Sequence, residues 1–221
     1  PGGDQPIKPG GLPGIGDIQS LPEETITEMP VRAERHKTPH PPVKNQGSCG
    51  SCYSFGANAS YESYSLLKGK GTHDLSEQWF MMRAKAIGPY GGCRGWYLDK
   101  SMNLLKNDGV APERACQYLA REQACPSSAK VAHKIGGFAV TRDKETIKRA
   151  LHNNGAVYVG FAVYSDFSYY KGGHYKYTSG SKRGYHAVAA VGYDDKGFYV
   201  KNSWGTGWGD RGYFWIEYSQ M

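Results

Sequence analysis

The chain has 221 residues, 39% of them apolar, with 12 prolines and five cysteines, enough apolar material for two lobes around a shared cleft. Its 27 Lys and Arg exceed 20 Asp and Glu to give a formal charge of +7, but no basic run is longer than Lys182-Arg183; this predicts solubility and mild attraction for acidic surfaces, not specific nucleic-acid binding. No apolar stretch nears the roughly 20 residues a membrane-spanning helix needs, and residues 1–16 lack the apolar core of a signal peptide.

Residues 1–38 read as a Pro/Gly-rich extension, beginning PGGDQPIKPGGLPGIG, without helical or strand periodicity. Residues 39–133 read as helical. A helix is predicted from Cys52, where Phe55, Ala59 and Leu66 fall near one face and no proline intervenes before Pro89. A second begins with Ser76 as its N-cap, and a short third lies at about 99–107. Residues 134–221 read mostly as β. The exception is 143–153, where Ile147, Ala150 and Leu151 recur at helical spacing before a terminating Gly155. Strands are predicted at 157–163, 186–193, 197–201 and 213–217, the middle pair joined by a turn through Asp194 and Gly197. A helical lobe facing a β lobe implies a cleft, with Cys52 on one wall and His186 on the other.

The most informative stretch is 46–55, QGSCGSCYSF. A cysteine at a helix start meets unpaired N–H groups and the positive end of the helix dipole, which favour a thiolate. Gln46 can aim its amide at a developing oxyanion beside the Cys52 N–H, and Gly47 and Gly50 allow the chain to turn between them. CGSC taken alone is also a redox or zinc CxxC pair. A thioredoxin-like motif wants a strand before it, yet 36–44 is proline-rich; a zinc site wants a second pair, which Cys93, Cys116 and Cys125 do not form. A thiolate needs a base and the base an orienting group. His186 heads one predicted strand and Asn202 ends the next, close enough for the amide to fix the imidazole tautomer. Trp204 is placed to shield that hydrogen bond from water.

With PVKNQGSCGSCYSF, LSEQ, GGCRG, YHAVAAVGY and KNSWGTGWGDRGY in this order, the chain resembles the papain family of cysteine peptidases, whose cysteine motif is followed about 130–150 residues later by His and Asn. The resemblance covers about 42–216 and suggests a bacterial member. It implies an α+β, papain-like two-lobe fold, with a helical left lobe, an antiparallel β-barrel-like right lobe and the active-site cleft between them. It implies an endopeptidase acting through a thioester acyl-enzyme, with Cys52 as nucleophile, His186 as acid and base, Asn202 as its orienter and Gln46 as oxyanion donor. No metal or organic cofactor is needed.

The resemblance also places substrate backbone along Gly95 and Trp96, and a pocket at Tyr97, Leu98, Gly160 and Ala187, with Trp204 nearby. Gly160 is expected to widen that pocket and Trp96 either to narrow the neighbouring subsite or only to pack. The family pattern pairs Cys49 with Cys93; the usual partner of Cys125 falls near Arg83, so Cys116 is its expected substitute. Two such bonds imply an oxidising, extracytoplasmic compartment: secreted, periplasmic or lysosome-like. Partners are peptide or protein substrates, and residues 1–38 read either as a disordered tail or as a short pro-segment, in which residues 12–29 contact the cleft and partly inhibit it. Competing readings are thiol–disulfide exchange through Cys49 and Cys52, and a peptide-binding protein with a decayed site. His36 and His40 are expected in a solvated loop, and Tyr164, Tyr169, Tyr170, Tyr175 and Tyr177 in half-exposed β-lobe packing.

Overall fold

A computed structural model describes residues 36–221. Its elements are β1 (His36–Lys37), α1 (Cys52–Leu67), α2 (Glu77–Ile87), α3 (Leu98–Asn107), α4 (Lys144–Asn154), β2 (Val157–Tyr164), β3 (His174–Tyr175), β4 (Lys182–Tyr193), β5 (Gly197–Lys201) and β6 (Tyr213–Glu217). The caps legible in the sequence set the boundaries. Ser76 accepts from the Trp79 N–H at 2.9 Å, Asp143 accepts from Thr146 N–H at 2.8 Å, and Gly155 ends α4 at φ 87°, a conformation costly for residues with a Cβ.

The strands form one sheet in the order β1-β4-β5-β6-β3, with β2 paired to β4 off that path. Asp194 makes the β4–β5 turn by accepting from the N–H groups of Lys196 and Gly197 at 2.9 and 3.0 Å. The sheet is antiparallel except where β3 runs parallel to β6. Two strands go beyond the sequence reading. β1 pairs His36 with Tyr193, so the last residues of the expected extension belong to the sheet. His36 and His40 are accordingly not in a solvated loop: His36 stacks on His152 at 3.7 Å, and His40 hydrogen-bonds Tyr213 at 3.1 Å. Of the tyrosines, Tyr170 and Tyr175 are buried whereas Tyr169 is 81% exposed.

Two apolar cores lie on either side of a seam. Phe161, Phe167, Val188, Phe214 and Ile216 build the β-lobe core, and Tyr53, Leu75, Phe80, Met81 and Leu105 the helical one. Between them runs α1, buried at every position from Cys52 to Ala59 rather than along a single stripe. Small residues permit this. A Cβ on Gly56 would lie 2.7 Å from the Tyr158 ring of β2 and 3.1 Å from the Val188 carbonyl of β4, so glycine here allows helix and sheet to touch. Lys44 anchors the chain just before α1. Its ammonium meets Glu62 of α1 at 3.3 Å, Glu77 of α2 at 2.9 Å and Asp74 at 2.7 Å. Burial disfavours this cation, but the charges of Glu77 and Glu62 outweigh burial and keep it protonated.

Candidate active site

The site begins with a loop that must end at a helix. Cys52 is the first residue of α1, behind Ser51, and no acidic side chain occupies the first turn to oppose the positive end of the dipole. The other four cysteines are paired, Cys49 with Cys93 and Cys116 with Cys125, so Cys52 is the cysteine that stands outside a disulfide. The Cys49–Cys93 bond removes the sulfur that thiol–disulfide exchange through CGSC would require.

The loop before α1 is tied to the opposite lobe. Gln46 N–H donates to the Ser203 carbonyl at 2.8 Å, and Gly205 N–H donates to the Lys44 carbonyl at 3.1 Å. The Gln46 side chain is fixed at both ends: Nε2 donates to the Cys49 carbonyl at 2.9 Å, and Oε1 accepts from Ser203 Oγ at 2.7 Å. An amide nitrogen carries two hydrogens, so one N–H of Gln46 stays available for an oxyanion. Ser203 was not singled out from the sequence. Its role depends on a contact across 157 residues, and the only local sign is its place directly after Asn202.

His186 sits in β4, next to Ala187, which packs into the same cluster as Cys52. Its Nε2 lies 2.7 Å from Asn202 Oδ1. That oxygen also accepts the Ser203 N–H at 2.8 Å, which identifies it as the carbonyl end of the amide. His186 Nε2 must then be the donor, and Nδ1 is left as the basic nitrogen. Trp204 stacks on the imidazole at 4.9 Å and Phe161 meets it edge-on at 6.0 Å, and the residue is 5% exposed. Burial pulls its pKa from 6.5 to about 4, with the Asn202 hydrogen bond working against that pull. An imidazolium is therefore stable here only beside a compensating anion.

The expected substrate wall is only partly as read from the sequence. Gly95 N–H donates to the Gly50 carbonyl at 3.0 Å, and the Gly95 carbonyl accepts from Gly91 N–H at 2.9 Å, so this peptide is used inside the loop. Trp96 follows it, but its side chain is buried in the helical core with its ring 6.0 Å from that of Tyr53 and does not narrow the wall. Tyr97, Leu98 and Ala187 belong to one cluster. At Gly160, Leu98 Cδ1 lies 2.9 Å from where a Cβ would stand, so the Leu98 side chain packs directly against this glycine. Tyr53 donates its hydroxyl to the Gly92 carbonyl at 2.9 Å, and burial keeps that hydroxyl protonated.

A cysteine at a helix N-terminus, an imidazole of fixed tautomer and a doubly anchored amide are the groups that thiol-nucleophile chemistry requires. The profile described as papain family cysteine protease matches residues 28–221, and the chain belongs to that family. It is 36% identical over 183 residues to digestive cysteine proteinase 2 of Homarus americanus, covering 78% of this chain and 56% of the relative. To pro-cathepsin H of Mus musculus it is 34% identical, covering 80% of this chain and 56% of that one. The chain thus spans little more than half the length of these relatives. Among solved structures it resembles digestive procathepsin L 3 of Tenebrio molitor, with a TM-score of 0.75 and 27% identity over 86% of this chain and 66% of that one. The Carica candamarcensis cysteine protease CMS1MS2 in complex with E-64 gives 0.66 and 31% over 80% and 83%. The α+β fold is papain-like.

Proposed function

We propose that this protein is a cysteine endopeptidase, with Cys52 as nucleophile, His186 as acid and base, Asn202 as the group that orients His186, and Gln46 with the Cys52 N–H as oxyanion donors. The observation that carries the reading is the His186–Asn202 hydrogen bond at 2.7 Å, which assigns the donor nitrogen and leaves Nδ1 to take the thiol proton. The thiolate attacks the scissile carbonyl carbon, and the oxyanion forms between the Cys52 N–H and the free N–H of Gln46. His186 gives its proton to the leaving amine, then takes one from water as the thioester is hydrolysed. Peptides or proteins are the substrates, bound as an extended strand along Trp96 and Tyr97.

The two disulfides favour an extracytoplasmic, oxidising compartment; no helix among the described residues is long and apolar enough to cross a membrane. We further propose a short inhibitory pro-segment within 12–29, which lies outside the described residues; T. molitor procathepsin L 3 is itself a proenzyme. The bacterial source expected from the sequence draws no support from the eukaryotic relatives named above. The test is labelling with E-64, an epoxide that alkylates thiols, followed by peptide mapping and a peptide-hydrolysis assay. Label on Cys52 alone, with matching loss of hydrolysis and none in Cys52→Ala, is expected. No label before or after trimming of residues 1–35 would sink the reading.

A further inference from the structure

The segment between the Cys116–Cys125 pair, nine residues apart, has no helix or regular strand, yet many bonds hold it. Tyr118 N–H donates to Glu113 Oε1 at 2.7 Å, and Leu119 N–H donates to Gln78 Oε1 at 3.1 Å. The same Gln78 donates through Nε2 to the carbonyls of Arg121 and Gln123 at 2.9 and 2.8 Å. Ser76 Oγ donates to the Cys116 carbonyl at 2.5 Å. Ala120 holds φ 54°, in the left-handed region, where its methyl fills the space beside Gly47: a Cβ on Gly47 would come within 3.1 Å of it. The segment is therefore pressed onto the loop that precedes Cys52.

From this segment Tyr118 reaches into that loop. Its hydroxyl donates to the Gln46 carbonyl at 2.8 Å, and Ser51 Oγ lies 2.6 Å from the Tyr118 hydroxyl oxygen. With the Tyr118 proton spent on Gln46, Ser51 must be the donor of the second bond. Ser51 precedes α1 but makes no capping hydrogen bond with its side chain; its Oγ is turned to Tyr118 instead. The ring of Tyr118 stands edge-on to Phe55, in the first turn of α1, at 4.8 Å and 88°. One hydroxyl thus bridges the two ends of the loop that carry the oxyanion donors, the Gln46 amide at one end and the Cys52 N–H just past Ser51 at the other. Burial pushes this phenol up to about 12, so it remains a donor across the whole range in which a thiolate–imidazolium pair operates.

We propose that Tyr118 is a positioning residue for the oxyanion hole, setting the distance between Gln46 and the Cys52 N–H, and that the Cys116–Cys125 bond holds it in register. This rests on the peptidase reading. Oxyanion donors act only when they sit at the place where charge develops, so a loop free to widen loses transition-state stabilisation without losing the thiolate.

The test compares wild type with Tyr118→Phe, which keeps the ring against Phe55, on the full chain before and after trimming of residues 1–35. A peptide aldehyde adds Cys52 Sγ to its carbonyl carbon. The C=O π pair moves to oxygen, which takes a proton and occupies the oxyanion hole. Iodoacetamide alkylates the same sulfur by displacing iodide, with no oxyanion. Aldehyde affinity and kcat should both fall about ten-fold, with KM and the alkylation rate within about two-fold of wild type. Unchanged aldehyde affinity, or parallel losses in both reactions, would overturn the proposal. A Cys116→Ala/Cys125→Ala double variant should weaken aldehyde binding in the same way; wild-type affinity there would overturn the disulfide's part. Wild type that neither binds aldehyde nor is alkylated at Cys52 in either form would instead bring down the peptidase reading beneath it.

Discussion

Replacing Cys52 by alanine leaves His186 in its buried seat without the sulfur that can carry the opposing charge, and the cost can be worked out. Burial sets the imidazole pKa at about 4 against 6.5 for an ordinary histidine, the Asn202 bond recovering only part of the difference. Because the folded-state value is the lower one, the unfolded chain takes up the proton first. Stability is full above the unfolded pKa of 6.5 and is lost as pH falls from there towards about 4, below which the loss is complete. At about pH 4.5 the proton balance between these two pKa values amounts to about 2–3 kcal/mol. The assay is urea unfolding of Cys52→Ala and of Cys52→Ala/His186→Gln at about pH 7.5 and about pH 4.5, since the second variant cancels every other titrating group. An acid-dependent difference between the two below about 0.5 kcal/mol would refute the view that His186 is hostile to charge unless the thiolate is present.

Three further outcomes are expected. Gln46→Ala should fold normally and be alkylated at the wild-type rate, while kcat falls by about 10²–10³, on the order of 2.7–4 kcal/mol, for loss of one oxyanion donor; wild-type turnover would remove Gln46 from the mechanism. Gly56→Ala places a methyl 2.7 Å from the Tyr158 ring and 3.1 Å from a backbone oxygen, so thermal or urea unfolding should show destabilisation of about 1–3 kcal/mol, and a neutral result would mean that α1 and the sheet are not in contact there. Ser76→Ala removes both the cap on Trp79 and the bond to the Cys116 carbonyl, which should cost at least about 1 kcal/mol in the same assay; Ser76→Asp should restore the cap but not the second bond.

Much of this was readable before any coordinates because its signals are local. Ser76 and Asp143 announce helix starts through side-chain oxygens that satisfy nearby N–H groups, and Gly155 announces a stop through backbone freedom. Cys52, His186 and Asn202 were legible for another reason: their chemistry demands those residue types, and Cys52 opens α1 while Asn202 directly follows β5; His186 lies inside β4, which begins at Lys182, four residues before the expected start. Short pairings were not legible. β1 and β3 are two residues each, too brief for any alternation, and β3 is specified only by its parallel register with β6. Side-chain direction was also hidden. Trp96 turns into the helical core and Leu98 packs against Gly160, outcomes set by neighbours distant in sequence. Ser203 and Tyr118 escaped notice because a hydroxyl far along the chain gives no sign of what it will hold.

The central helix also governs how the molecule comes apart. Since α1 is buried on every side from Cys52 to Ala59, with Tyr53 in one core and Ala59 in the seam with Ala189 and Val191, neither lobe keeps a complete interior if the other melts. Two lobes would ordinarily suggest two melting steps; here calorimetry should record a single cooperative unit, with van't Hoff and calorimetric enthalpies in agreement. Neither half could then be exchanged for a relative's without redesigning the helix they share.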